Sequence, residues 1–211
     1  MILLPHEQGS PEWLKARAGL FTASGYGDLM AMTRSGPSTS RANLITKVAI
    51  ERITGEAQAT FQNEAMRRGS ELEPFARAAY EAWTGLLVQQ VGLGIHEEYA
   101  YAGASLDGLV GNHGAVEFKC PGAQHKHVQA LRTGEHAKEY RWQVQGQLWV
   151  SGRVWCDVVS YDPRFPDGLE LAIVRVFRDE SAIAELAKAC EAADKEATAL
   201  VDELLTMRRA A

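Results

Sequence analysis

Apolar residues recur at two different periods along this chain, and the first switch between them falls near residue 85. Before it the spacing is helical. The stretch GSPEWLKARAGL predicts a helix with Ser10 as N-cap and Pro11 in the first turn, stopped by Gly19. TASGYGDLMAM predicts a second short helix opening near Thr22 or Ser24, and the Ser/Gly/Pro-rich TRSGPSTS reads as a mobile loop. From Arg41 to Thr54, Leu44, Val48, Ile50 and Ile53 keep helical spacing until Gly55. A longer helix is expected over 63–84, with Leu72, Phe75, Ala79, Tyr80 and Trp83 on its buried side.

After that helix the period changes. LLVQQVGLGIHEE and YAGASLDGLV read as strands, and AVEFKC as another after the GNHG turn. The helical period returns at Gly122, breaks at Gly134, and resumes from Ala137 to Ser151. RVWCDVVSYDP and LELAIVRVF are the last strands, and a long helix over roughly 179–208 closes the sequence. Helices, a strand meander, a helix, strands and a helix together predict one α/β core with an N-terminal helical addition.

Composition narrows the class without naming a function. At 211 residues the chain suits one domain. Three scattered cysteines, Cys120, Cys156 and Cys190, form no CxxC pair, which argues for free thiols in a reducing compartment and against a cysteine-held zinc or iron–sulfur cluster. Neither a secretory leader nor a 20-residue apolar run is visible, so the cytoplasm is the expected location. The net charge of −5 counts against a general nucleic-acid coat protein. Its distribution is uneven: residues 71–118 carry one basic and seven acidic side chains, whereas 119–153 carry six basic and two acidic. A carboxylate cluster beside an anion-binding surface fits those blocks, and so do ordinary solvated faces.

The chemistry concentrates where the blocks meet. In GASLDGLVGNHGAVEFKC, adjacent antiparallel strands bring Asp107 at the end of one beside Glu117 on the next. Glu117 and Lys119 lie two apart and share a face, while Phe118 points the other way into the core. Two converging carboxylates suit Mg²⁺, a hard cation that takes oxygen ligands and keeps several waters. A neighbouring lysine can orient a water or neutralise phosphate charge. A surface hairpin with incidental charges is the competing reading of a bare D-x9-E-x-K. His125 and His127 of HKH read as a solvent-facing basic turn, since a zinc site would need further soft ligands.

LDG…VEFKCP resembles the PD-(D/E)xK nuclease signature, in the form found in the lambda-exonuclease-like, YqaJ-type viral recombinases. The resemblance extends over WLKARAGLFTAS (13–24), RGSELEPFAR (68–77), EYRWQVQGQLWV (139–150) and YDPR (161–164), with Leu106 in place of the usual proline before the aspartate. It implies a nuclease core with a central mixed β-sheet flanked by helices. It divides residues 1–211 of a single nuclease domain into an N-terminal part (1–60), a catalytic core (61–178) and a C-terminal helix (179–211). It further implies Asp107 and Glu117 as metal ligands with the Phe118 main-chain carbonyl, Lys119 positioning the attacking water, and Glu73 acting directly or through water. Gln143 and Tyr140 would lie near that centre, and Arg17, Thr22 and Ser24 would form a pocket for a 5′-terminal phosphate. From the residues alone, Thr22 or Ser24 is equally an N-cap, Arg17 an exposed helix charge, and Glu73 a solvated partner of Arg77.

The activity implied is 5′→3′ exonucleolytic hydrolysis of double-stranded DNA to 5′-mononucleotides, leaving 3′ overhangs. Two Mg²⁺ ions would serve, with Mn²⁺ able to replace them. A homotrimeric ring and a single-strand annealing protein as partner are also implied. An endonuclease or structure-specific nuclease on the same core, or a non-catalytic DNA-binding assembly protein, are the alternatives.

Overall fold

A computed structural model describes residues 1–34, 36–58 and 64–210. The chain starts with β1 (Ile2–Leu3), α1 (Pro11–Arg17), β2 (Phe21–Thr22), a 3-10 turn over Ala23–Gly25 and α2 (Tyr26–Met30). A small hairpin of β3 (Met32–Thr33) and β4 (Gly36–Pro37) leads into α3 (Thr39–Thr54) and α4 (Glu64–Thr84). The strands β5 (Val88–Gln89), β6 (Leu93–Ile95), β7 (Ala102–Ser105), β8 (Gly108–Val110) and β9 (Gly114–Lys119) follow. Next come α5 (Gln124–Thr133), α6 (His136–Glu139) and α7 (Arg141–Ser151), then β10 (Trp155–Tyr161), β11 (Leu171–Phe177) and α8 (Glu180–Ala210).

The meander feeds two sheets. One has the order β11-β10-β9-β8-β5, the other β1-β6-β7-β2. In the first, β9 and β10 are parallel, and the helices α5 to α7 make the crossover between them; its other pairs are antiparallel, so the sheet is mixed. YAGASLDGLV is therefore not one strand. It leaves one sheet after Ser105 and joins the other at Gly108, with Leu106 wholly buried and Asp107 at the break. LLVQQVGLGIHEE splits in the same way between β5 and β6. Because side chains alternate along a strand, Val116 and Phe118 of β9 pack with Ala76 and Tyr80 of α4, whereas Ala115 belongs to the main core with Val144 and Leu148 of α7.

Several expectations change in three dimensions. Tyr80 is buried as expected, but Phe75 and Trp83 are 61% and 66% exposed, and Ala76, one position after Phe75, takes the buried place. Ile53 is likewise exposed at the end of α3. The expected helix over 137–151 is broken at Tyr140, whose backbone (φ −102°, ψ 14°) departs from the helical values between α6 and α7. His127 is not in a solvent-facing turn: it sits on the inner face of α5, fully buried, with Ser160 Oγ and the Leu169 carbonyl on its two ring nitrogens. His125 remains exposed. The expected loop at 33–40 contains the β3–β4 hairpin, with Ser35 outside the described residues, as is residue 63 at the expected start of the long helix.

Candidate active site

Asp107, Glu117 and Lys119 meet because β8 and β9 pair with Gly108 opposite Val116, which sets Asp107 beside the C-terminal half of β9. The Phe118 backbone N–H donates to Asp107 Oδ2 at 2.7 Å. Lys119 Nζ donates to Glu117 Oε1 at 2.6 Å and to Gln143 Oε1 at 3.2 Å. Gln143 Nε2 in turn donates to the same Glu117 oxygen at 2.6 Å. Tyr140 places its ring 4.2 Å from Lys119 Nζ, a cation–π contact at the start of α7. A cavity of about 540 Å³ opens over this group, lined by Glu73, Asp107, Glu117, Lys119, Cys120 and Tyr140 among others.

The electrostatics follow from burial and crowding. Burial, then the charges of Glu117 and Glu73, push the Asp107 carboxyl well above the usual carboxylate range, against the Phe118 N–H and Lys119 that favour its ionised form. Glu73 on α4 is also raised, first by burial, with Arg77 opposing and Glu117 adding to the shift. Burial works against the Lys119 charge, but Glu117 and its hydrogen bond outweigh that, so the ammonium is held above its ordinary value. The Cys120 thiol is pushed up to about 12 by burial and by Glu73.

Such a set of mutually repelling carboxylates gains from a cation between them. Among the described residues no three His, Cys, Asp or Glu side chains enclose an ion unaided. The donors present are hard oxygens, few in number and open to a cavity, and that suits a Mg²⁺ ion retaining several waters. Asp107 and Glu117, with Glu73 lining the same cavity, are the carboxylates that would face such an ion.

A second cavity of about 440 Å³ contains Arg17, Thr22, Ser24, Asn43 and Lys47. Arg17 Nη2 donates to Thr22 Oγ1 at 2.9 Å and to Ser24 Oγ at 2.7 Å. Thr22 makes no side-chain cap to the turn that follows it, and Gly25 rather than Ser24 stands at the N-cap of α2, so the N-cap reading of these hydroxyls fails. Arg17 is not a free surface charge either: it lies over the Trp13 ring at 5.1 Å, and burial lowers its pKa. No carboxylate within ion-pair distance holds its guanidinium among the described residues, and its Nε is buried without a partner. The fork and two hydroxyls lie together in this cavity, a donor set that suits an anion, and the carboxylates of Asp28 and Glu51 line it as well.

Sequence reasoning missed two groups. Trp13 Nε1 donates to Ser105 Oγ at 3.2 Å, which ties α1 of the second cavity to the strand that ends beside Asp107. Gln147 is fully buried and donates to Glu117 Oε2 at 2.5 Å. Its i,i+4 spacing from Gln143 was the available signal, because that spacing puts both amides on one helix face. Gln145 between them turns away, donating to the Phe177 carbonyl and accepting from the Asp179 N–H.

A family model described as a YqaJ-like viral recombinase domain matches residues 12–154. No curated protein sequence matches the chain. Among solved structures, LHK-Exo in complex with dAMP is 40% identical, with 96% of this chain and 100% of that chain covered and a TM-score of 0.87. The alkaline exonuclease LHK-Exo from Laribacter hongkongensis is 40% identical over 95% of this chain and 98% of that one, with a TM-score of 0.86. A phage-related exonuclease from Haemophilus somnus 129PT, 16% identical over 88% of this chain and 96% of that one, shares the fold at a TM-score of 0.73.

Proposed function

The chain belongs to the YqaJ-like viral recombinase family and has the fold of PD-(D/E)xK nucleases, and from that premise we propose a Mg²⁺-dependent 5′→3′ exonuclease acting on double-stranded DNA. The observation that carries the reading is the pairing of two cavities. One holds Asp107, Glu117 and Lys119, the other holds the Arg17, Thr22 and Ser24 cradle. A scissile phosphate belongs in the first and the terminal 5′-phosphate in the second.

In this reading Asp107 and Glu117, with the Phe118 main-chain carbonyl and Glu73 directly or through water, hold the ions. Bound Mg²⁺, with Mn²⁺ as a substitute and two ions in all, supplies Lewis-acid charge to the phosphodiester and lowers the pKa of water. Lys119 donates to the attacking water and orients it toward phosphorus, with Gln143 and Tyr140 keeping the ammonium in place. Attack forms the bond from the water oxygen to phosphorus and breaks P–O3′; the water gives a proton up to solvent and O3′ takes one from it. This releases a 5′-mononucleotide with a 3′-hydroxyl, keeps a 5′-phosphate on the remaining strand, and leaves a 3′ overhang that suits a single-strand annealing partner. Residues 1–211 act as a single nuclease domain, the end pocket lying in 1–60, the catalytic core in 61–178 and the closing helix in 179–211. A homotrimeric ring would let an acidic protein keep hold of DNA by enclosing it.

Linear duplex labelled at either end provides the test. Label should be lost first from 5′-phosphorylated ends, only with Mg²⁺ or Mn²⁺, and covalently closed plasmid should survive. Nicking of the closed plasmid would make the protein an endonuclease, and hydrolysis in excess EDTA would remove the metal mechanism.

A further inference from the structure

We propose that Gln147 is a positioning residue for the metal site, which fixes the Glu117 carboxylate in rotation. This rests on the metal-dependent reading above. Glu117 is 4% exposed, and its two oxygens have different surroundings. Oε1 faces Lys119 and Gln143, whereas Oε2 accepts from Gln147 Nε2 at 2.5 Å.

Gln147 itself is wholly buried. Its amide is held on both sides: Nε2 also lies 3.4 Å from the Ser105 carbonyl, and the Cys156 thiol donates toward Oε1 at 4.0 Å. The amide cannot turn without exchanging donor for acceptor at Glu117. The Glu117 carboxylate is therefore fixed in rotation, with Oε2 held by Gln147 and Oε1 held by Lys119 and Gln143. The same amide ties Glu117 to Ser105, two residues before Asp107. A shape-filling role alone would set the stability of the core. A positioning role also sets how tightly the site binds Mg²⁺.

Gln147→Met keeps volume and removes the donor. Calorimetric titration of the full chain with MgCl₂ should show affinity weakened roughly tenfold to a hundredfold, the range for partners that orient a ligand. The rate at limiting Mg²⁺ should fall and recover as Mg²⁺ is raised, with duplex affinity in EDTA unchanged. A folded Gln147→Met that binds Mg²⁺ as the parent does overturns the inference. Gln147→Asn, which withdraws the amide by one methylene, carries the same expectation and the same refutation where the Met variant does not fold. Absence of Mg²⁺ binding by the parent chain refutes the metal-dependent reading itself, and this inference with it.

Discussion

In the proposed reading, Lys119 serves the chemistry and Arg17 the capture of the DNA end, and their surroundings differ accordingly. Lys119 is held between Glu117, Gln143 and the Tyr140 ring, so its loss should act on rate rather than on affinity. Lys119→Ala is expected to lower the single-turnover rate about 10²- to 10⁴-fold while duplex binding in EDTA is retained. Cleavage near the parental rate would end its assignment. Arg17 is expected to favour phosphorylated over hydroxyl 5′ ends by roughly tenfold to a hundredfold, since a charge-assisted hydrogen bond contributes about 1.5–3 kcal/mol. Arg17→Ala should erase that preference and leave hydroxyl ends little affected. Arg17→Lys should restore only part of it, because an ammonium lacks the bidentate fork. Equal degradation of both end types by the parent would remove the pocket.

At the level of elements, α7 carries the two glutamines that bond Glu117 of β9, and its approach to α2 sets where they reach. Gly146 lies against the Tyr26 ring so closely that an added Cβ would overlap it. Tyr26 is buried and anchored by its hydroxyl to the Phe21 carbonyl, so it has little room to give way. Gly146→Ala is therefore expected to cost about 1–3 kcal/mol, as overpacking does. It should also weaken Mg²⁺ binding, by moving Gln143 and Gln147 relative to Glu117. Thermal melting with and without Mg²⁺ checks both parts, and an Ala variant as stable as the parent would show that α7 can shift freely. The strand period made β9 legible, with Glu117 and Lys119 on one face. It did not show that Asp107 sits where the chain passes from one sheet to another, because alternation continues through Leu106 whichever sheet the strand joins.

For the molecule as a whole, the proposed ring makes a prediction that single residues do not. Sedimentation should give a mass about three times that of one chain under the trimer reading, and a monomer at micromolar concentration that still degrades DNA processively would refute enclosure. No helix among the described residues is long and apolar enough to cross a membrane. Phe75 and Trp83 show how far periodicity reaches at this scale. Tyr80 faces the sheet as its spacing suggested, yet Ala76 rather than Phe75 lies beside it there, so hydrophobicity alone assigned Phe75 and Trp83 to the wrong side.

The sequence by itself determined the broad alternation of helical and strand stretches, the D-x9-E-x-K signature and its family resemblance, because these are local patterns of residue type and spacing. Tertiary structure decided which charges share a cavity. His127 became a buried residue bonded to Ser160 and to the Leu169 carbonyl, and Thr22 and Ser24 became acceptors for Arg17 rather than caps. Gln147 came to face Glu117 across thirty residues of chain. Local propensity is a property of neighbours along the backbone. A hydrogen bond between distant segments depends on how a helix is docked onto a sheet, and that docking is set by the packing of the whole core.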